Sequence, residues 1–320
     1  IMDDYELFRK SSRSPYGPGF PDGSLDGEAA GGIVAGSDFG GYHIVREIYR
    51  GDPASVFEAT EGIAGRRYAL KTLREPVSAQ PRVLEELRRE AEVAARLRHP
   101  SLQRVLGRGD VDGAPYFLMT LHSGVNAGSL LDDRAELLEP SILIELAARF
   151  ASIVDAVSAL HRQGVVHRDI NPSNILLDAE GRFILADFGS TLNRADRNLC
   201  PEVEPAGELM YRSPQQLLAG ANHYAPSGDI YALGMTLYVL LAGRLPLPAG
   251  NAEELGKLKL TRELPSLCRM NPQVPLGLDG IVRQACEFQR AHRYKSAEDM
   301  ARDLKRFVSR RCRSRGRYAS

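Results

Sequence analysis

The sequence predicts an α+β fold of two lobes, a small strand-rich half followed by a larger helical one. Two observations predict it. Short runs of β-branched and aromatic residues follow one another from Tyr42 to Leu121, and apolar residues then switch to three- and four-residue spacing. At 320 residues the chain can hold one large domain or two smaller ones, each with a proper core, and no internal repeat is evident.

Residues 1–37 are rich in Gly, Pro, Ser and acidic groups (SSRSPYGPGFPDGSLDGEAAGG). Such a segment cannot bury enough apolar surface to offset its ordering entropy, so it reads as a flexible leader. Residues 38–121 read as the small lobe. YHIVREIY, SVFEATEG and RRYALKTL are strand candidates separated by Gly or Pro signals. A helix over 81–98 follows, ended by His99-Pro100, and then strands in LQRVLGRGDV and PYFLMTL. Residues 122–311 read as the helical lobe. SILIELAARFASIVDAVSALHRQ is a helix that stops at Gly164, and further helices are expected near 214–219, 227–242, 278–288 and 296–311. The most apolar stretch, Ile230 to Ala242, is too short to span a bilayer and reads as a buried core helix. From Arg302 to Arg317 there are eight Lys/Arg and one Asp. The first part reads as the solvated face of a last helix with Leu304 and Phe307 inward, and SRRCRSRGRY as an unstructured tail, with 312–320 the basic end. That tail is the only feature that suggests membrane proximity.

Lys+Arg and Asp+Glu both number 41, so bulk charge predicts no nucleic-acid or membrane partner. Four scattered cysteines with no C-x-x-C pair fit a reducing, cytoplasmic setting. Residues 1–20 are polar and charged, unlike a signal peptide.

The strongest chemical signal lies in HRDINPSNILL (His167 to Leu177) and ILADFG (Ile184 to Gly189). Asp169, Asn174 and Asp187 sit in loops flanked by apolar runs and offer oxygen donors suited to a hard cation. Mg²⁺ takes one or two protein oxygens plus substrate phosphates, a need that Asn174 and Asp187 meet while Asp169 remains as a further carboxylate. Lys71, in YALKTL, shares a strand face with Ala69 and Leu73. Nineteen residues on, Glu90 falls within an apolar helical stripe of Val83, Leu87, Ala94 and Leu97. An inward lysine and a carboxylate inside an apolar stripe each need a counter-charge, and each supplies the other's.

These residues resemble the protein-kinase family, Ser/Thr type and most like the bacterial (Hanks-type) members. The family's catalytic loop reads H-R-D-x-x-x-x-N and its metal loop D-F-G. The resemblance covers roughly residues 38–311. It implies a bilobal kinase fold, ATP and Mg²⁺ as cofactors, and phosphoryl transfer to Ser/Thr of a protein substrate. By it, Asp169 accepts the substrate hydroxyl proton, Asn174 and Asp187 hold the metal, and Lys71 with Glu90 aligns the phosphates. Gly51 is the one glycine kept in the phosphate-covering loop, where Asp52 and Pro53 are unusual. Val56, Ala69, Leu121 and Leu176 are implied walls of the adenine slot. Met119 guards its back, and the backbone of Thr120 and His122 pairs with the adenine edge.

Tyr211-Arg212-Ser213-Pro214-Gln215 resembles the family's Y-x-[AS]-P-E end of the substrate-docking segment, with Gln215 in place of glutamate. The late arginine, Arg293, is then left with at best a hydrogen bond to it. Asp229 is the implied buried anchor of the next helix. Further departures are Asn171, where the family carries a lysine on the transferring phosphate, and Glu208, where it carries a threonine. No Ser or Thr lies between Leu192 and Arg212, which removes the usual activation site, and Glu202, Glu204 or Glu208 could stand in as a fixed anion for Arg168. These departures keep a pseudokinase, a nucleotide-binding or scaffolding module, as the alternative reading. A small-molecule phosphotransferase would also explain Asn171, but Arg293 and the Y-x-S-P segment count against it.

Overall fold

A computed structural model of the chain describes residues 33–51, 54–62, 65–73, 81–122, 126–132, 138–193, 209–219, 225–247, 249 and 251–316. Most of the leader, Asp52, Pro53, Glu202, Glu204 and Glu208 lie outside these residues. The chain divides into two compact units. One runs to Ser129 and takes in Leu176–Gly189; the other comprises Leu130–Ile175 and Ser190 onward.

The first unit is built on a six-stranded antiparallel sheet. Its strands are β1 (Asp38–Phe39), β2 (Tyr42–Arg50), β3 (Ala54–Thr60), β4 (Arg67–Leu73), β5 (Val105–Val111) and β6 (Ala114–Thr120), in the order β1-β2-β3-β4-β6-β5. Each is rich in the β-branched and aromatic residues that pack well on a pleated surface. Register breaks between Ile44 and Arg46 and between Glu47 and Tyr49 mark bulges in β2, which bend and twist that strand. Ile44, Phe57, Ala59, Leu70 and Leu118 form a buried cluster on one face. Tyr42, Tyr68, Phe39 and Tyr116 cover it with edge-to-face ring pairs 5.6–6.2 Å apart. The helix α1 (Pro81–Arg96) presents Leu87, Ala91 and Ala94 as its buried stripe, as its 3.6-residue spacing requires. It stops two residues short of the expected end. The hairpin of β8 (Ile175–Leu177) and β9 (Phe183–Leu185) adds Leu176, Ile184 and Ala186 as a small buried cluster.

The second unit is helical. Its longest buried elements are α2 (Pro140–Arg162) and α3 (Pro226–Ala242). All but the first two residues of α3 are buried, so it is a core helix, as its unbroken apolar sequence predicts. It ends at Gly243, whose φ of 73° gives the left-handed C-cap that a side chain would strain. Helix α5 (Leu276–Ala285) packs on α3 at Gly234, where a Cβ would come within 2.7 Å of Ala285 Cβ and Cys286 Sγ. The short strands β7 (Val165–Val166) and β10 (Leu192–Asn193) pair antiparallel.

Two features differ from the sequence expectation. A helix α4 (Ala252–Thr261) was not foreseen, because its leucines at 255, 258 and 260 are too few to mark a sustained helical stripe. The last helix, α6, runs from Ala297 to Gly316, so most of the stretch expected to be an unstructured tail is helical. Its arginines are good helix formers once Met300, Ala301 and Leu304 anchor the first half of the helix. Among the described residues no helix is long and apolar enough to cross a membrane.

Candidate active site

In the first unit the ladder places Lys71 on β4 opposite Val56 of β3 and Phe117 of β6. Its Nζ lies 2.7 and 2.9 Å from the two Glu90 carboxylate oxygens and 3.1 Å from Asp187 Oδ1. Glu90 is only 6% exposed, whereas the Asp187 carboxylate is 47% exposed. Burial alone would lower the Lys71 pKa, but the charges of Asp187 and Glu90 together outweigh it and hold the ammonium above the ordinary lysine value. Burial raises the Glu90 carboxyl against the pull of Lys71, and the Asp187 charge adds to that rise.

Asp187 adopts φ 59°, a left-handed conformation uncommon for a non-glycine residue. Its Oδ1 accepts the Gly189 N–H at 3.2 Å, and a Cβ on Gly189 would sit 3.3 Å from both that oxygen and Glu90 Oε2. The glycine is therefore what lets the loop close over the two carboxylates. Arg168 shares this backbone class with φ 71°. Two of the three non-glycine residues with positive φ among those described thus fall on the two motif loops, where strain of ~1–3 kcal/mol each persists only if the surroundings over-determine it.

Val56, Ala69, Met119 and Leu176 are all buried in the same unit. Leu121, the further slot wall expected, is partly exposed. Gly51 N–H donates to Ala54 O at 3.1 Å, and a Cβ there would press to 2.6 Å from the Tyr49 ring. Only glycine fits beneath that tyrosine. Thr120 shows an arrangement the sequence did not reveal. Its N–H donates to Arg104 O at 3.0 Å, and its carbonyl accepts Gln103 Nε2 at 2.8 Å. Gln103 is 2% exposed, and its Oε1 is a buried acceptor without a hydrogen-bond partner among the described residues. Burial lowers the His122 pKa below the ordinary histidine value, with Asp178 opposing.

In the second unit, Asp169 is held by two amides. Asn174 Nδ2 donates to Asp169 Oδ2 at 2.6 Å and to its main-chain carbonyl at 2.8 Å. Asn171 Nδ2 donates to Asp169 Oδ1 at 3.0 Å. Asn171 also caps the 3₁₀ turn Pro172–Asn174, its Oδ1 accepting the N–H groups of Ser173 and Asn174. The residue that departs from the family's lysine is thus a brace for the loop, a role its Asn-Pro-Ser context could have signalled.

Asp229 braces the preceding residues. Its carboxylate accepts the His167 and Arg168 N–H groups, each at 2.8 Å, and lies 2.8 Å from His161 Nε2. Arg293, also buried, donates from Nη2 to Gln215 Oε1 at 2.6 Å and from Nε to Glu287 O at 2.6 Å. The position expected to keep only a hydrogen bond keeps a short one.

Comparison with known proteins agrees with this geometry. A family model described as "Protein kinase domain" matches residues 42–315. The serine/threonine-protein kinase PrkC of Bacillus subtilis is 33% identical over 266 residues, covering 83% of this chain and 40% of that protein. PknH of Mycobacterium tuberculosis is 31% identical over 266 residues, covering 83% and 42%. The chain spans about two fifths of the length of these curated relatives. Among solved structures, the PknI kinase domain of Mycobacterium tuberculosis superposes with a TM-score of 0.64 at 26% identity, covering 86% of this chain and 99% of that one.

Proposed function

The chain belongs to the protein-kinase family, and from that premise we propose that it transfers the γ-phosphoryl group of ATP to Ser or Thr hydroxyls of a protein substrate. The observation that carries the proposal is the Lys71 ammonium held between Glu90 and Asp187 in one unit. A cation poised between a buried and a half-exposed carboxylate is the arrangement that phosphoryl transfer uses to align phosphates.

Each residue then has a role. Lys71 binds and orients phosphate oxygens, and Glu90 fixes the lysine. Asp169, both of whose oxygens accept amide N–H groups, takes the proton of the substrate hydroxyl. Asn174 and Asp187 are hard oxygen donors of the type Mg²⁺ selects, so the residues present fit the metal–nucleotide cofactor. When bound, Mg²⁺ would neutralise charge developing on the phosphates. Val56, Ala69, Met119 and Leu176 supply apolar walls for adenine, and Gly51 the close backbone approach above it. A cytoplasmic setting is part of the proposal, supported by four scattered cysteines with no C-x-x-C pair. No position among base, lysine, glutamate and metal donors departs from the family pattern, which favours an active enzyme over a pseudokinase.

The test is to incubate the protein with Mg²⁺-ATP and a generic acceptor, myelin basic protein, and to weigh both proteins intact. Wild type is expected to add phosphate, and Asp169→Asn to lose about 10²–10⁴ of the rate. Transfer that survives Asp169→Asn undiminished, or wild type that transfers nothing, would sink the reading.

A second prediction concerns the adenine edge. Gln103 already occupies one lone pair of the Thr120 carbonyl. Gln103→Leu removes that competition and a buried orphan acceptor, at nearly constant volume. The expected result is MgATP bound about threefold to tenfold more tightly, with a melting temperature no lower than wild type. Weaker ATP binding in the variant would show that the glutamine supports the base instead.

A further inference from the structure

Helix α4 carries a lysine where an apolar side chain would be expected. Lys259 lies one turn beyond the buried Leu255 and is itself only 4% exposed. Its Nζ donates to the main-chain carbonyls of Leu209 at 2.7 Å, Met210 at 2.5 Å and Arg212. An ammonium has three donors, and all three are spent on one four-residue turn. Among the described residues no carboxylate pairs with it. The charged and titratable groups facing it are Arg212, Arg293, the Cys286 thiol and the Tyr231 ring, whose centroid is 5.0 Å from Nζ. Arg293 lies over the same ring at 4.9 Å.

An unpaired buried cation is costly. A methionine or leucine would fill the slot without that cost but would remove the ammonium donor from all three carbonyls, leaving Leu209 O with the Arg212 N–H at 3.3 Å. The turn at 209–212 and the burial of Lys259 are therefore one construction. Directly after the turn come Ser213, whose N–H and hydroxyl donate to Gln216 Oε1, and Gln215, which meets Arg293. The turn is thus fixed at its far end by one set of side chains, while along its length Met210 is buried and Lys259 supplies the described side-chain hydrogen bonds to its carbonyls.

We propose that Lys259 is a positioning residue for the protein substrate, holding the 209–212 turn in the form that receives the acceptor. This rests on the kinase reading, in which the stretch ending at Tyr211-Arg212-Ser213-Pro214 is the substrate-docking segment. The clamp depends on charge. A neutral amine has two N–H groups and a lone pair, so one of the three carbonyls would face a lone pair. Burial pushes the Lys259 pKa down to about 7, with Cys286 opposing and Arg212 and Arg293 adding to the fall. The three carbonyls favour the ammonium. Deprotonation on the alkaline side therefore loosens the turn.

The experiment pairs steady-state kinetics with hydrogen exchange on wild type, Lys259→Met and Lys259→Arg, using myelin basic protein as acceptor. Lys259→Met is expected to raise the acceptor KM roughly tenfold, leave the ATP KM unchanged, and speed exchange of the amides in 209–216 by a similar factor. In wild type the acceptor KM should rise between pH 6 and pH 9, and Lys259→Arg, always charged, should flatten that rise. An unchanged acceptor KM in Lys259→Met overturns the proposal even if exchange quickens, because the lysine would then be structural only. If Lys259→Met does not fold, the wild-type pH series decides, and a flat acceptor KM overturns the proposal. A wild type that transfers no phosphate sinks the kinase reading instead; exchange in 209–216, corrected for intrinsic rate, then upholds the clamp if it quickens with pH and overturns it if it does not.

Discussion

Replacing Lys71 with methionine is expected to lower kcat/KM by at least about 10³ and, separately, to make stability fall with rising pH more steeply than it does in wild type. On the proposed function, the first effect follows from removing a fixed cation from the developing phosphate charge, a loss of ~4 kcal/mol of transition-state stabilisation. The second follows from what the lysine leaves behind. Glu90 is almost fully buried and is already pushed up to about 7 by burial against the lysine's pull. With Lys71 gone, that opposing pull is lost and Asp187 still faces the site, so Glu90 titrates higher still. A carboxyl whose folded pKa exceeds its unfolded value holds more protons when folded than unfolded. Its stabilising effect is fully present below the unfolded value of ~4.3 and is lost as pH rises through the folded value. Lys71→Met should therefore melt lower at pH 8 than at pH 5, by the ~3–5 kcal/mol that breaking a buried pair costs. Adding Glu90→Leu should recover most of the melting temperature and none of the activity. A single variant that melts like wild type at both pH values would show the pair to be energetically idle.

The parts of this site that were legible in the sequence are those where a charge stands in an apolar context. Glu90 among Leu87, Ala94 and Leu97, and Lys71 beside Ala69, can be matched from the sequence because a buried charge demands a partner. The same logic would have found Lys259, which follows the buried Leu255 by four residues. It was missed because the helix itself was missed. The start signal was present, however. Asn251 caps α4 by accepting the Glu254 N–H at 2.9 Å, and an Asn followed by two acidic residues is an N-terminal signature. What periodicity cannot report is which atom meets which. It marks Gln103 only as a polar residue near a strand, not as the donor that claims the Thr120 carbonyl. Nor does a motif departure tell its own consequence. Asn171 read as a lost lysine, and the geometry shows an amide that orients Asp169 and caps the turn after it. The last helix was cut short because a run of arginines resembles a solvated tail, whereas helix propensity carries it on to Gly316.

Asp229→Asn should be the most destabilising conservative change in the helical unit, with a loss of about 3–5 kcal/mol. The carboxylate is 1% exposed and receives two main-chain N–H groups on separate oxygens, with His161 against one of them. An amide has one acceptor oxygen, so the substitution points an N–H₂ at a donor wherever it settles. For a chain of this size the melting temperature should fall by roughly 10 °C. The consequence reaches the chemistry through Arg168. Its φ of 71° is a strained conformation held because its own N–H is tied to Asp229. Once released, the residue can return to a favoured region, and Asp169, the next in the chain, turns with it. The pH dependence should carry the same signature. Burial would raise the Asp229 pKa, but His161 and the His167 N–H outweigh it and hold the carboxyl below the ordinary aspartate range. A depressed acid contributes stability that is present above the unfolded value of ~3.9 and is lost as pH falls through the folded one. Urea melts from pH 3 to pH 7 should thus show wild type losing stability at the acid end more steeply than the variant. A variant within about 1 °C of wild type at neutral pH would mean that the loop at 167–174 holds its shape without this carboxylate, and the strain at Arg168 would then need another source.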